Sequence, residues 1–309
     1  MVKQGKPSMS VDIAGIKMKN PVMPASGCFG FGEEYANFLD LNALGAIVVK
    51  SVTLQPTMGN KPPRVCETPA GMLNSIAWQN PGLDVFLKEK LPFLRQFQTP
   101  VIVNLAGKTT KEYGDLAAEL EGVPGIAGLE LNISCPNVEE GGVAFGTDPV
   151  LAAEVTYQVK KRTSLPLIVK LSPNVTDVTK VAAAVESAGA DAISLINSLI
   201  GMAVDIYTQR PVLGNIVGGL TGPAIKPVAL YMVWRVARTV KVPIIGIGGI
   251  MRAEDAIEFI LAGARAVGVG LGNFIKPTVM LDIIQGIEDY LINKEIYDVN
   301  DLVGSLKLD

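Results

Sequence analysis

Leu129-Glu-Leu-Asn-Ile-Ser-Cys-Pro-Asn137 decides the fold. The stretch begins as an alternating apolar run suited to a buried strand and ends in a polar cluster that packing alone does not explain. Asn132, Ser134, Cys135 and Asn137 crowd the point where a strand hands over to a turn, and Pro136 removes a backbone donor and keeps a helix from starting early. Polar groups collected there point to a site rather than to a core.

Outward from it, apolar or β-branched runs recur at Pro21 to Ala25, Ala46 to Lys50, Pro100 to Leu105, Gly128 to Ile133, Pro166 to Leu171, Ala192 to Ile196, Pro243 to Gly246 and Ala266 to Val269. Stretches of helical period separate them: Leu83 to Phe97, Lys111 to Glu121, Pro149 to Arg162, Val178 to Ala188, Pro223 to Val240, Ala253 to Ala262 and Met280 to Ile292. Strands apolar on both faces, alternating with helices, need a parallel sheet covered by helices. Eight such units predict a single α/β domain over residues 1–309, a closed (β/α)8 TIM barrel. A hairpin from Ser10 to Met18, turning at Ala14-Gly15, precedes it. The loops Ser51 to Gly82 and Asn197 to Gly222 are too long for mere connections and are expected to be lids or binding loops.

Composition narrows the function. A chain of 309 residues that is 49% hydrophobic can bury a large core, and a net charge of -3 gives no electrostatic reason to expect a nucleic-acid partner. Histidine is absent, which excludes a Ser/His/Asp triad and the usual zinc sites, so no metal is expected. Cys28, Cys66 and Cys135 are odd in number and far apart, which argues against a disulfide framework, and they are one short of an iron–sulfur ligand set. The N-terminus lacks the apolar core of a signal peptide, and no uncharged run approaches the roughly 18 residues of a membrane span. A soluble, cytoplasmic protein is expected.

Barrels of this kind place their chemistry at the C-terminal ends of the strands. Here those ends carry Ser26, Lys50 with Ser51, Asn104, Asn132, Lys170, Asn197 with Ser198, Gly248 with Gly249, and Gly270. The runs Gly246-Ile-Gly-Gly-Ile250 and Gly268-Val-Gly-Leu-Gly-Asn273 are either tight turns or a phosphate cradle, and two such clusters on adjacent strands favour the phosphate. No Rossmann or Walker fingerprint occurs, so the phosphate is expected on a mononucleotide. A lysine aimed into a barrel mouth should meet an anion; a solvated strand end accounts for Lys50 or Lys170 but not for both. Asn74, Asn104, Asn132, Asn137 and Asn197 read singly as turn formers, and together as a pocket for a flat heterocycle with amide-like groups. Cys135 is either a small buried hydrophobe, as Cys28 and Cys66 read, or a general base whose pKa nearby lysines lower; its place above the barrel mouth favours the base. Ser134 has no base to activate it.

At Asn132-Ile-Ser-Cys-Pro-Asn137, Gly141-Gly142 and Phe145-Gly-Thr-Asp-Pro149 the chain resembles the dihydroorotate dehydrogenases. The likeness extends through Ser26-Gly27, Lys50-Ser51, Asn74-Ser-Ile-Ala-Trp-Gln-Asn-Pro-Gly82, Val169-Lys-Leu-Ser-Pro173, Asn197, Gly218-Gly-Leu-Thr-Gly-Pro223 and Gly246-Ile-Gly-Gly249, nearly the whole chain. Cysteine at the base position resembles class 1 of the family, and the following Gly-Gly resembles subclass B, the catalytic subunit that works with a separate flavoprotein. The resemblance implies FMN across the barrel mouth, its phosphate at Gly222, Gly248, Gly249, Gly270 and Leu271, with Ser26, Lys50, Ser51, Asn104, Asn132, Lys170 and Ile196 around the rest. It implies dihydroorotate held by Lys50, Asn74, Ser75, Ile76, Ala77, Trp78, Asn132, Asn137, Asn197 and Ser198, and Cys135 removing the C5 proton to give orotate, a step of pyrimidine biosynthesis.

Leu271 stands where a threonine is usual, Cys28 replaces a common threonine, and Ala77-Trp78 replaces a usual Gly-Leu. Nothing in the chain reads as an FAD, NAD or iron–sulfur site. The resemblance therefore implies a partner subunit carrying FAD and a 2Fe–2S cluster, NAD as terminal acceptor, and a heterotetramer of two catalytic and two electron-transfer subunits. The rival readings are a fumarate-reducing class 1 homodimer, a dihydropyrimidine-reducing FMN relative, and a non-catalytic phosphate-ligand-binding barrel.

Overall fold

A computed structural model describes residues 6–134 and 143–308. Cys135 and Asn137 lie outside the described residues. Eight parallel strands form one sheet: Val22–Pro24, Ile47–Val48, Val101–Leu105, Gly128–Asn132, Leu167–Lys170, Ala192–Leu195, Ile244–Ile247 and Ala266–Val269. Neighbours in this order pair from the second strand to the eighth, and the eighth pairs with the first. Between the first and second strands the ring is drawn together by Gly45 N–H donating to Val22 O at 2.9 Å. The strands are buried throughout because helices cover their outer face and their own side chains fill the inner one.

The expected helices form, and their starts are chemically marked. Thr109, Asp148 and Asp177 each accept a backbone N–H from the first turn of the helices Thr110–Leu120, Pro149–Lys160 and Val178–Ser187. Such caps contribute about 1 kcal/mol apiece. Two helices differ from the simple expectation. Leu83 to Phe97 is split into Leu83–Val85, a wide turn over Phe86–Lys90, and Leu91–Leu94. Pro92 has no N–H to give the preceding turn, so the tighter ladder cannot run through it. The stretch from Pro223 opens with a tight turn, Pro223–Ile225, before Lys226–Ala237 continues as α-helix.

The hairpin pairs Val11–Ile13 with Ile16–Met18, and its turn residues Ala14 and Gly15 both take positive φ. Its apolar face is buried, and Ile16 reaches Gly128 at the start of a barrel strand. The hairpin therefore closes the N-terminal end of the barrel, opposite the functional rim.

The two long loops are not structureless. Val65–Thr68, Gly71–Asn74, Val217–Thr221 and Leu199–Met202 pair as one antiparallel four-stranded sheet, with Asn74 opposite Gly219 and Leu73 opposite Leu220. Segments from the second and sixth barrel units thus make a single lid. Among the described residues no helix is long and apolar enough to cross a membrane.

Candidate active site

The strand ends and the lid line one cavity at the mouth of the barrel. Lys170 ends the strand Leu167–Lys170 and is only 4% exposed. Its Nζ donates to Ser26 Oγ at 3.1 Å, and among the described residues no carboxylate stands within ion-pair distance of it. A buried ammonium facing a cavity with one neutral acceptor is a site for an anion or for developing negative charge.

Beside it lies a connected ring of amides and hydroxyls. Ser51 Oγ donates to Asn104 Oδ1 at 2.5 Å, and Asn132 Nδ2 donates to Ser51 Oγ at 3.2 Å. Asn104 Nδ2 donates to Glu130 Oε2 at 2.6 Å, and Ser194 Oγ donates to Glu130 Oε1 at 2.8 Å. Ser51 and Asn132 border the cavity, whereas Asn104 is fully buried behind them. Sequence reasoning missed Glu130 and Ser194. The signal was present: Glu130 precedes Asn132 by two in a strand, so both project to the same side, into the barrel.

The network continues past Asn132: Asn197 Nδ2 donates to Ser134 Oγ at 2.9 Å, and Ser198 N–H donates to Asn197 Oδ1 at 2.8 Å. Asn174, also missed, clamps this corner from outside by donating to Ser198 O and accepting from Ile200 N–H, both at 3.0 Å. The lid supplies Asn74, whose Nδ2 donates to Gly219 O at 3.3 Å, and then Ile76, Ala77 and Trp78. Ala77 takes a positive φ of 60°, which turns the chain sharply at the cavity edge. Asn80 holds this turn by donating to Trp78 O at 2.7 Å and accepting Gly82 N–H at 2.8 Å. Trp78 is 5% exposed, and its indole N–H is buried without an acceptor among the described residues.

Three loops meet at one end of the cavity. An added Cβ on Gly249 would lie 2.7 Å from Gly222 O, and one on Gly222 would lie 2.5 Å from Leu271 Cδ2. Side chains are therefore shut out where these backbones converge. The amides of Gly249, Gly270 and Leu271 donate to no backbone carbonyl among the described residues. Cys28 sits beside Gly270 and borders the cavity. Burial pushes its thiol pKa up, against the pull of the Lys170 and Lys50 charges.

Of the residues expected from sequence, Ser26, Lys50, Ser51, Asn74, Ile76, Ala77, Trp78, Asn132, Lys170, Asn197, Ser198 and Leu271 all border the cavity. Ile196 is 1% exposed and packed in the core, and Ser75 is buried with its hydroxyl toward Asn60. Met72, Thr221 and Phe274 join the wall without having been foreseen, because they come from the lid and from the short helix Gly272–Ile275 after the last strand.

The chain matches the family model described as dihydroorotate dehydrogenase over residues 8–291. It is 60% identical over 303 residues to a protein of Geotalea daltonii named dihydroorotate dehydrogenase B (NAD(+)), catalytic subunit, covering 98% of this chain and 99% of that one. A protein of the same name from Desulforamulus reducens is 58% identical, with 98% and 100% covered. Among solved structures, the enzyme DHODH of Eimeria tenella in complex with ferulenol superposes with a TM-score of 0.81 over 99% of this chain and 90% of that one, at 23% identity, which speaks to the fold. With a rim, a lid and a near-complete sequence match in agreement, this chain belongs to the dihydroorotate dehydrogenase family.

Proposed function

We propose that this chain is the catalytic subunit of an NAD-linked dihydroorotate dehydrogenase, oxidising dihydroorotate to orotate in pyrimidine biosynthesis. The observation that carries the reading is the buried Lys170 ammonium on a cavity rimmed by neutral amides, a setting for a flat, amide-bearing ring that takes up negative charge.

The donor set fits FMN. Three amides without backbone acceptors among the described residues, at Gly249, Gly270 and Leu271, stand with Gly222 and Gly248, and around Gly222, Gly248 and Gly249 the loops converge too closely for side chains, which suits a phosphate. Ser26, Lys50, Ser51, Asn104, Asn132, Lys170 and Ile196 would surround the remainder. When bound, FMN supplies the acceptor for the hydride that leaves C6 of the substrate. Lys50, Asn132, Asn137, Asn197 and Ser198 would grip dihydroorotate from the rim, and Asn74 to Trp78 from the lid. Trp78, whose indole N–H has no acceptor among the described residues, stands in that wall. Cys135 is assigned as the base that takes the C5 proton, on the strength of its sequence setting.

The words "catalytic subunit" in the names of the relatives support a second subunit. In our reading it is an electron-transfer flavoprotein carrying FAD and a 2Fe–2S cluster, two copies joining two of this chain in the cytoplasm and delivering electrons to NAD. Anaerobic titration of the purified holoenzyme tests the proposal. Dihydroorotate should bleach the flavin absorbance while dihydrouracil leaves it unchanged, and turnover with NAD should require the partner whereas fumarate should not substitute. A colourless chain that cannot be loaded with FMN would overturn the reading in favour of a phosphate-ligand-binding barrel.

A further inference from the structure

We propose that Glu130 is a positioning residue that sets, from beneath the site and through Asn104, the direction of the hydrogen bonds by which Ser51 and Asn132 meet their ligand. The proposal rests on the flavin and dihydroorotate reading above and adds a residue to it. An asparagine amide can offer either its oxygen or its nitrogen to a neighbour, and a serine hydroxyl can donate or accept. A connected run of such groups has two opposite senses unless something outside it chooses one. An ionised carboxylate only accepts, and both oxygens of Glu130 face donors, Asn104 Nδ2 at 2.6 Å and Ser194 Oγ at 2.8 Å.

The consequences run upward. With its nitrogen committed to Glu130, Asn104 turns its oxygen to Ser51, whose hydroxyl must then donate, as it does at 2.5 Å. The lone pairs left on Ser51 accept from Asn132 Nδ2 at 3.2 Å. That leaves Asn132 Oδ1 for Ser134, whose N–H and hydroxyl approach it at 3.4 and 3.3 Å. Those contacts are long and hold Asn132 only weakly. The upper corner has its own anchor, since the backbone N–H of Ser198 can only donate and fixes Asn197. The lower half has Glu130 alone.

Energetics agree with a selected role. Glu130 and Asp255 are the buried carboxylates among the described residues; Asp255 pairs with Lys226, whereas Glu130 forms no ion pair. A charge held inside a barrel by two neutral donors costs stability that an apolar residue would not, and the other residues of this strand below Asn132 are Gly128, Leu129 and Leu131.

The experiment compares Glu130→Gln and Glu130→Met by titrating deflavinated protein with FMN, by following the orotate-induced change in flavin absorbance, and by thermal unfolding. Glutamine can still present oxygen to Asn104 and nitrogen to Ser194, so it should keep FMN affinity within about threefold of the parent. Methionine has similar length but no strong acceptor, and should weaken FMN about tenfold or more and raise KM for dihydroorotate by a larger factor than it lowers kcat. Asn104→Asp gives a second route should the methionine chain not fold. That substitution sets two carboxylates face to face and should lose FMN, and adding Glu130→Gln restores a donor between them and should recover it. Equal losses in the glutamine and methionine variants, or no recovery in the double variant, would overturn the role of Glu130. A parent chain that takes up no FMN would overturn the flavin reading itself.

Discussion

Lys170 and Ser26 meet across the full width of the barrel mouth: the strands they follow stand four apart in a ring of eight, and Nζ donates to Oγ at 3.1 Å. The lysine therefore lies along the cavity floor with its charge toward the middle, not at the edge where solvent would screen it. Lys170→Ala should slow dihydroorotate-driven bleaching of the flavin by about 10²–10³-fold, the usual effect of removing one preorganised charge-stabilising group. FMN affinity should fall only modestly, because the phosphate end is untouched. Stopped-flow absorbance under anaerobic conditions reads both, and an unchanged rate would remove Lys170 from the chemistry.

Cys135 carries the prediction that depends most on sequence. Cys135→Ala should retain FMN and lose nearly all bleaching by dihydroorotate. Cys135→Ser should keep a small rate that climbs with pH, since a hydroxyl is a far weaker acid than a thiol and needs help to give up its proton. The pH–rate profile of the serine variant is the discriminating measurement, and full-speed reaction in the alanine chain would dismiss the assignment.

The parallel core was legible because burial on both faces leaves no choice of residue type: Ile-Val-Val and Leu-Ile-Val cannot sit anywhere but inside. Once the strands are placed, the barrel rule puts Lys50, Asn132, Lys170 and Asn197 on one rim without further information. The two lid loops were legible from their length, but their pairing into one sheet was not. Asn74 pairs with Gly219, a partner 145 residues away, and the glycines that permit the close pairing read locally as loop punctuation. Glu130 escaped for another reason, because a charge between two leucines resembles the solvent face of an alternating strand, and only closure of the ring shows that face to be interior.

The lid makes a prediction at Gly71. A Cβ there would stand 2.0 Å from Thr221 O, a backbone atom that cannot swing aside. Gly71→Ala should wedge apart the strands that carry Asn74 and Gly222, raising KM for dihydroorotate and weakening FMN together. Overpacking of this kind costs about 1–3 kcal/mol, to be read from urea unfolding of the parent and the variant. A variant with normal stability and normal KM would show that the two loops act independently.

Asp255 braces the loop beyond Gly249. It accepts Met251 N–H at 2.9 Å and Arg252 N–H at 3.2 Å while receiving Lys226 Nζ at 2.7 Å. Burial would lower the Lys226 pKa, but Asp255 and Glu258 outweigh it and hold the pKa above the usual lysine value. Asp255→Ala removes the cap and strips the lysine of its nearer partner, and should cost about 2–3 kcal/mol. Asp255→Asn retains one capping oxygen and should lose less. FMN uptake should weaken in the same order, and equal stability of the two variants would show that the cap contributes nothing.

Cys28 offers a reading of occupancy that needs no turnover. Burial raises its thiol pKa, so it holds less thiolate than a free cysteine and should be alkylated more slowly. It borders the cavity, whereas Cys66 lies on the outer lid strand Val65–Thr68. FMN should therefore protect Cys28 and leave Cys66 unaffected, a contrast that peptide mass spectrometry resolves residue by residue. The same shift has a consequence for stability. Above pH 9 the unfolded chain releases this proton while the folded one keeps it, so the folded state binds more protons and loses stability as pH rises past the unfolded value. In Cys28→Ser, whose hydroxyl does not ionise in this range, the alkaline decline in unfolding free energy should be shallower than in the parent. Identical slopes in the two chains would show that burial does not hold this proton, and alkylation of Cys28 undiminished by FMN would place the thiol outside the cofactor's reach.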